Sequence, residues 1–84
     1  MKKMYIVKLN EAWKYIQNRE TFRASNMIGL YLEHNGFTSY VVMSYATIIY
    51  AENKKGVFIN RLSEKFSQST SRHQSIVRRA LNIK

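Results

Sequence analysis

The chain has 84 residues, of which 45% are hydrophobic, so it is too apolar for a disordered segment and large enough for one small domain. It contains no cysteine, which excludes disulfides, thiolate metal ligands and a cysteine nucleophile. Lys and Arg total 14 against five acidic residues, and the net charge of +9 suggests an anionic partner such as nucleic acid or a nucleoprotein. We therefore interpret residues 1–84 as a single small domain with an anionic partner.

The charge is concentrated at the two ends of the chain. Residues before position 24 and after position 53 contain all 14 basic residues and three of the five glutamates, a net charge of +11. The residues between them contain only Glu33 and Glu52 as charged residues. This layout predicts a basic surface around a charge-poor centre, although an ordinary solvated surface would have the same composition.

No segment of the sequence is typical of export or of membrane insertion. The basic start Met1-Lys2-Lys3 is not followed by the apolar stretch of a signal peptide, and no apolar run is long enough to span a bilayer. We therefore expect a cytoplasmic protein without a membrane partner.

The first twenty residues predict a β segment followed by a helix. From Met4 to Leu9 the chain is β-prone and alternating, which favours a short strand or an extended arm. Asn10 is a suitable N-cap, and a helix is predicted from Asn10 to about Glu20. The apolar side of this helix consists of Leu9, Ala12, Trp13 and Ile16.

The middle of the chain predicts a three-stranded antiparallel sheet. The first strand runs from Met27 to Glu33 and ends in a turn that contains Asn35 and Gly36. Residues 37–51 are rich in Val, Ile, Tyr and Thr and are apolar on both sides, so they predict one central strand, bent near Ser44. A second turn over residues 52–56 leads to a short strand over residues 57–61.

The C-terminal part predicts a second helix, from Arg72 to about Leu81. Ser71 and Gln74 have the spacing of a capping box at its start. The polar connection before it contains Phe66, which is predicted to fill a place in the core. The expected fold is therefore α+β, with a three-stranded antiparallel sheet flanked by an N-terminal and a C-terminal helix on one face.

Nothing in the sequence assembles a catalytic, cofactor or metal-binding set. His73 lies within the apolar stripe of the second helix, which predicts a partly buried, hydrogen-bonded, neutral histidine rather than a catalytic one. His34 lies in a turn and is expected to be exposed. The two histidines are far apart in the chain, there is no aspartate, and the glycines form no phosphate-binding loop. We therefore expect a protein that is not an enzyme and uses no cofactor or metal.

Five basic residues are the candidate binding residues. Arg72 and Arg79 fall on one flank of the predicted C-terminal helix and Arg78 falls on the other, where they would contact phosphates. Lys54 and Lys55 lie at the tip of a predicted hairpin and would extend that contact. The alternative for all five is an ordinary solvated surface.

Two short motifs carry a resemblance to known proteins. Ser44-Tyr45-Ala46-Thr47 and Thr70-Ser71-Arg72-His73 resemble the Ser-Tyr-x-Thr strand and the Thr-Ser-Arg-His helix start of small uncharacterised proteins from phages and plasmids of low-GC Gram-positive bacteria. The resemblance covers about the second half of the chain, and Ala46 stands where glycine or asparagine is frequent. It implies an origin in a mobile element and no established activity.

These observations lead to two main functional hypotheses. The first is a non-enzymatic phage or mobile-element accessory protein that binds and blocks a host protein or nucleoprotein complex, such as an anti-CRISPR-like inhibitor of a defence nuclease. The alternative is a regulatory protein that binds DNA or RNA directly through its basic C-terminal helix. The order helix, three strands, helix is similar to that of double-stranded-RNA-binding domains, by analogy of topology alone. A third hypothesis is a homodimer that associates through the β stretch from Tyr40 to Tyr50.

Overall fold

The computed structural model shows a six-stranded sheet with two helices packed on one face. It describes residues 4–82 apart from the side chain of His34, so the expected exposure of that histidine lies outside the described part. The elements in chain order are β1 (Tyr5–Ile6), a 3₁₀ turn (Leu9–Glu11), α1 (Ala12–Gln17), β2 (Phe22–Ala24), β3 (Met27–His34), β4 (Phe37–Ser44), β5 (Thr47–Asn53), β6 (Gly56–Asn60) and α2 (Gln68–Leu81). The strands lie side by side in this same order.

The α+β class is confirmed, but the predicted three-stranded antiparallel sheet is wrong. Strands β2 to β6 form an antiparallel meander, and β1 pairs with β2 in parallel at the edge. The connection between those two parallel strands needs a crossover, which α1 provides. A mixed six-stranded sheet also removes the similarity of topology to double-stranded-RNA-binding domains.

The predicted central strand over residues 37–51 is two strands joined by a tight turn. β4 ends at Ser44 and β5 begins at Thr47. Between them Tyr45 adopts a φ of 56°, in the left-handed region that a bulky residue seldom occupies. Its N–H donates to the carbonyl oxygen of Asn26 at 2.8 Å, a bond that helps to offset the cost of this conformation. The turn contains no glycine, asparagine or proline, so the sequence predicts only a bend near Ser44 and not the end of a strand.

The N-terminal β segment is shorter than predicted, and β2 was not predicted. Only Tyr5–Ile6 of the first segment is a strand. β2 has three residues, which is too short for an alternating pattern to show. The N–H of Tyr5 donates to the carbonyl oxygen of Thr21 at 3.0 Å, and the N–H of Val7 donates to that of Arg23 at 2.9 Å. These bonds attach the N-terminal segment to the edge of the meander.

Both helices begin at other residues than predicted. α1 begins at Ala12 after the 3₁₀ turn, and Asn10 does not cap it. α2 begins at Gln68 after Ser67, whose Oγ accepts a backbone hydrogen bond of 3.3 Å from the first turn, so the capping box at Ser71 is wrong. Ser67 caps the helix in place of Ser71 because the earlier start adds one helical turn that packs against the rest of the protein. None of the helices within residues 4–82 is long and apolar enough to cross a membrane.

Alternate residues of the sheet face the helices and form the core. Val42 pairs with Gly29 on one side and with Tyr50 on the other. The register shifts after Val42, and this bulge leaves Ile49 as an extra residue that is fully buried among the core side chains. The buried core consists of Ala12, Ile16, Phe22, Met27, Tyr40, Val42, Ile49, Tyr50, Leu62, Val77 and Ala80.

Leu62, rather than Phe66, fills the core from the connection between β6 and α2. Leu62 is 2% exposed, whereas Phe66 is half-buried and its ring lies 5.0 Å from the guanidinium carbon of Arg61. The side-chain nitrogen of Gln74 in α2 donates to the carbonyl oxygens of Arg61 and Glu64 at 2.6 and 2.9 Å. The predicted place of Phe66 in the core is therefore wrong, and Gln74 ties the connection to the helix.

A polar cluster joins the end of α1 to the sheet. Arg19, at a φ of 52°, donates two hydrogen bonds of 3.1 and 2.9 Å to Oε1 of Glu52. The hydroxyl of Tyr50 donates to the same oxygen at 2.6 Å. Burial opposes ionisation of Glu52, but the bonds from Arg19 and Tyr50 outweigh it and lower the pKa of the carboxyl group. Burial, followed by the bond to Glu52, raises the pKa of Tyr50 to about 12.

Replacing Gly29 by alanine should destabilise the fold. An added Cβ would lie 2.3 Å from a ring carbon of Phe22 and 2.7 Å from the hydroxyl oxygen of Tyr40. Both neighbours are held, since Phe22 is fully buried and the hydroxyl of Tyr40 donates to the carbonyl oxygen of Glu20 at 2.8 Å. We expect Gly29→Ala to lower the free energy of unfolding in urea by about 2–3 kcal/mol.

The control is Gly36→Asn, at a φ of 80° with nothing within 4 Å of the added Cβ. Asparagine tolerates the left-handed region, so this change should cost less than about 1 kcal/mol. A Gly29→Ala protein as stable as Gly36→Asn would contradict the close packing of β3 under Phe22.

Candidate nucleic-acid interface

Two of the predicted arginines lie beside one groove between the helices. Arg72 and Arg79 are about two helical turns apart, so they lie on the same side of α2. The groove has a volume of about 580 Å³ and is lined by Leu9, Asn10, Trp13, Arg72, Ile76 and Arg79. None of these lining residues is acidic, so the groove favours an anion.

Trp13 holds one of these arginines in place. The guanidinium carbon of Arg79 lies 4.6 Å from the centroid of the Trp13 ring, and Nζ of Lys14 lies 5.8 Å from it. Such a cation–π contact is worth about 0.5–1 kcal/mol at an exposed site. It restricts the rotamers of Arg79, so less side-chain entropy is lost when the guanidinium binds an anion. Sequence analysis assigned Trp13 to the apolar side of α1 and missed this role.

A polar pocket continues the groove at the N-terminus of α2. It has a volume of about 290 Å³, and its polar lining includes Ser25, Asn26, Tyr45, Gln68, Ser69 and Arg72. Leu9 and Arg72 line both cavities, so the groove and the pocket form one surface, which we call the basic track. The first N–H groups of a helix have no partner within it and carry a partial positive charge, so this end of the track also favours an anion.

Buried hydrogen bonds beneath the pocket attach α2 to the sheet. Oγ of Ser44 lies 2.6 Å from Nδ1 of His73 and 3.1 Å from Oγ1 of Thr70. A further bond to the backbone of Ser25 raises the pKa of His73, which means that a ring N–H donates to the carbonyl oxygen. In the neutral ring the other nitrogen, Nδ1, then accepts. The hydroxyl of Ser44 thus has hydrogen-bond partners in two residues of α2, Thr70 and His73, and connects β4 to that helix.

His73 is buried and hydrogen-bonded, as its position in the apolar stripe of α2 predicted. His73 is 3% exposed. Burial lowers its pKa, the bond to the backbone of Ser25 partly opposes this, and the charge of Arg72 lowers it further, so the ring is neutral near pH 7. Ser44 is 1% exposed, so a substrate cannot reach its hydroxyl. The pair therefore positions α2 and does not form an accessible nucleophile.

The two motifs of the sequence resemblance meet at these bonds. Ser44 opens the strand motif, while Thr70 and His73 belong to the helix motif. Each of the two segments thus supplies hydrogen-bond partners of the other.

An exposed aromatic ring stands beside the pocket. Tyr45 is 51% exposed, and its ring centroid lies 5.9 Å from that of His73. The left-handed turn between β4 and β5 places the ring there. An open aromatic face of this kind is a surface on which a nucleobase can stack.

Arg78 lies on the other flank of α2, as the helical spacing predicted. Its guanidinium donates to the carbonyl oxygen of Leu62 and, at 3.1 Å, to Oγ of Ser75. It lines neither the groove nor the pocket among the described residues. Its contacts indicate that it fixes the connection before α2.

Lys54 and Lys55 lie in the turn between β5 and β6. They line a separate cavity with Phe37, whose ring centroid lies 5.2 Å from Nζ of Lys55. This cavity shares no lining residue with the basic track. The five predicted binding residues therefore do not form one surface, and only Arg72 and Arg79 come together.

Sequence analysis missed the residues that complete the track. Ser25 and Asn26 come from the turn between β2 and β3, which was not predicted, and the turn that carries Tyr45 was read as strand. The helical spacing of the two arginines was the only signal of the track in the sequence. Among the described residues, no three His, Cys, Asp or Glu side chains form a group that could hold a metal ion.

No protein-family model, curated protein or solved structure matches this chain. The functional interpretation therefore depends on the geometry and charge of the basic track. The relationship to phage and plasmid proteins stays a prediction.

Lowering the pH from about 7.5 to 5.5 should destabilise the fold through His73. Its pKa in the folded protein lies below the ordinary value of 6.5, so the unfolded chain takes up the proton first. The stability contributed by the neutral ring is complete above pH 6.5 and is lost as the pH falls towards the folded pKa. We expect the free energy of unfolding in urea to fall across this range. Glu52 acts separately, since its lowered pKa affects stability only below about pH 4.5.

Replacement of His73 assigns the effect. His73→Gln should be less stable than the wild type but should lose most of the pH dependence. An unchanged pH dependence in His73→Gln would show that another group causes it.

Proposed function

We propose that this protein is a non-enzymatic nucleic-acid-binding protein and that the basic track is its binding surface. The observation that carries the proposal is the placement of Arg72 and Arg79 along one surface whose described lining contains no acidic residue. Contacts between arginine and phosphate supply most of the affinity of such proteins, and they make it dependent on salt.

Each part of the track suits a different part of the ligand. Arg72 lies at the junction of groove and pocket, where a phosphate would also meet the N-terminus of α2. Arg79 lies about 10 Å further along the helix axis and would contact a different phosphate. Tyr45 offers its exposed ring to a base. Because a single strand has unstacked bases that an aromatic ring can reach, we expect single strands to bind more tightly than duplexes.

A second candidate function is the binding and blocking of a host protein or nucleoprotein complex. The groove between the helices combines Trp13, Ile76 and two arginines, and tryptophan and arginine are the residues that most often dominate protein interfaces. An acidic protein surface would then occupy the track in place of nucleic acid. An anti-CRISPR-like inhibitor of a defence nuclease is the specific form of this proposal.

The double variant Arg72→Gln, Arg79→Gln tests the track directly. It should weaken binding of a labelled single strand of about 12 nucleotides at least tenfold, measured by fluorescence anisotropy at moderate salt. The slope of log K against log salt concentration should become shallower by about 1–2, because up to two phosphate contacts are lost. In the wild type, the emission of Trp13, the only tryptophan in the chain, should change during the same titration because Arg79 lies against it.

The matched control is Lys54→Gln, Lys55→Gln, which removes the same charge at a distance from the track. It should change the affinity less than about threefold, through the overall charge alone. Equal losses in the two double variants would show that binding depends on net charge and not on the track. Failure of the wild type to bind DNA or RNA, single-stranded or duplex, at low salt would refute direct nucleic-acid binding.

The second candidate is tested with a lysate of a Gram-positive host. Wild-type protein would retain a host protein after nuclease treatment, and the Arg72→Gln, Arg79→Gln variant would not. Loss of every bound protein on nuclease treatment would favour direct nucleic-acid binding.

A further inference from the structure

The face of the sheet opposite the helices is apolar and uncovered. Leu30, Val41, Ala51 and Ile59 pair with one another in a row across β3 to β6. Val41 and Ala51 are 2% and 0% exposed although no helix lies over them. They form the floor of a trough of about 340 Å³ on the open face.

Larger side chains form the rim of this trough and remain in water. Leu32, Phe37 and Phe58 line the trough and are 44%, 50% and 54% exposed. Phe58 faces the trough because the register of β5 and β6 shifts beside it. The two half-exposed phenylalanines alone leave about 200 Å² of apolar surface in contact with water.

The open face is large enough for an interface. Partly exposed apolar side chains on β3 to β5, among them Ile28, Met43 and Ile48, lie on the same face and bring its apolar area to the order of 400 Å². Patches of this size on a monomer often mark an interaction site. Two such faces together present roughly 800 Å² of apolar surface, to which the polar lining residues add towards the roughly 1,000 Å² that a specific interface needs.

The absence of charge in the described lining of the trough indicates which partner this face would bind. Among the described residues that line the trough, none is charged, and its polar members are Asn35, Ser39 and Asn53. Nucleic acid or an acidic peptide would bury its charge there without a counter-charge, which is costly. A second copy of the same face brings no charge into the trough, because neither Arg23, which pairs with Ile28, nor Lys55, whose Nζ lies 5.2 Å from the ring of Phe37, lines it. The basic track lies on the helix side of the sheet, so the track arginines of both copies would remain outside the contact.

We propose that two copies of this chain associate through their open sheet faces to form a symmetric dimer. The two sheets pack face to face, about 10 Å apart, as in a β-sandwich. Phe37, Phe58 and Leu32 of each copy fill the trough of the other. The stretch from Tyr40 to Tyr50 that the sequence suggested as an interface contributes only its open-face residues, since Tyr40, Val42 and Tyr50 are in the core.

The dimer places the two basic tracks on opposite outer surfaces. Each track would then bind its own strand, and a long nucleic acid could bridge dimers. The proposal of a dimer does not depend on nucleic-acid binding, because it rests on a different face of the sheet.

Sedimentation equilibrium of the full chain tests the proposal, at concentrations from about 1 to 200 μM after nuclease treatment. The wild type should sediment as a dimer at the upper end, and raising the salt to 0.5 M should not dissociate it, because apolar contacts are not screened. Phe58→Ser removes one ring from each copy and should raise the dissociation constant of the dimer at least about 100-fold.

The matched control is Val57→Ser on the same strand. Val57 is 53% exposed, but it pairs with Glu52, whose side chain lies on the helix side, and it does not line the trough. This variant should remain a dimer, and circular dichroism should show that both variants are folded. A wild type that stays monomeric at 200 μM would overturn the proposal. So would a folded Phe58→Ser that dimerises as tightly as Val57→Ser, or a dimer that salt dissociates.

Discussion

The buried bonds of Ser44 with Thr70 and His73 decide where α2 lies on the sheet, and the basic track depends on that position. A buried polar group that loses its partner costs about 1–3 kcal/mol, so sliding the helix by one turn would leave several such groups unpaired. With the helix fixed, Arg72 stands at the mouth of the pocket and Arg79 reaches the ring of Trp13. The other wall of the groove, α1, is held from its far end by the bonds of Arg19 and Glu52. Both walls are thus anchored by polar contacts outside the groove, which leaves the groove side chains free to bind.

A chain of this size has helices for only one face of a six-stranded sheet, and the two faces have opposite characters as a result. The basic ends of the sequence contain both helices, so the arginines of α2 lie on the helix side. The charge-poor middle of the sequence contains most of the sheet and supplies an open face whose trough has no charged residue in its described lining, with Arg23 of β2 outside the trough. The layout seen in the sequence, with a net charge of +11 at the ends and only two glutamates between them, therefore corresponds to two surfaces that suit different partners.

The sequence predicted those features that depend on neighbouring residues in the chain. It did not predict the features that depend on contacts between distant segments. The turn at Asn35 and Gly36 was predictable because it needs left-handed residues, and their φ angles are 51° and 80°. The turn at Tyr45 was not predictable, because the energetic cost of its left-handed φ angle is offset by a hydrogen bond to Asn26, which lies in a different turn. The shared flank of Arg72 and Arg79 followed from helical spacing alone. The contact with Trp13 and the pocket made of three separate turns depend on tertiary packing, which no local pattern encodes.

A map of backbone amide chemical shifts during titration with a single-stranded oligonucleotide tests most directly whether the basic track binds nucleic acid. If the track is the binding surface, the shifts should concentrate in residues 9–14, 25–26, 45 and 68–79, which form it. Residues 36–38 and 54–56, where the turn lysines lie, and the open face of the sheet should change little. Shifts centred on the Lys54 and Lys55 turn, or on the open face, would contradict binding at the track.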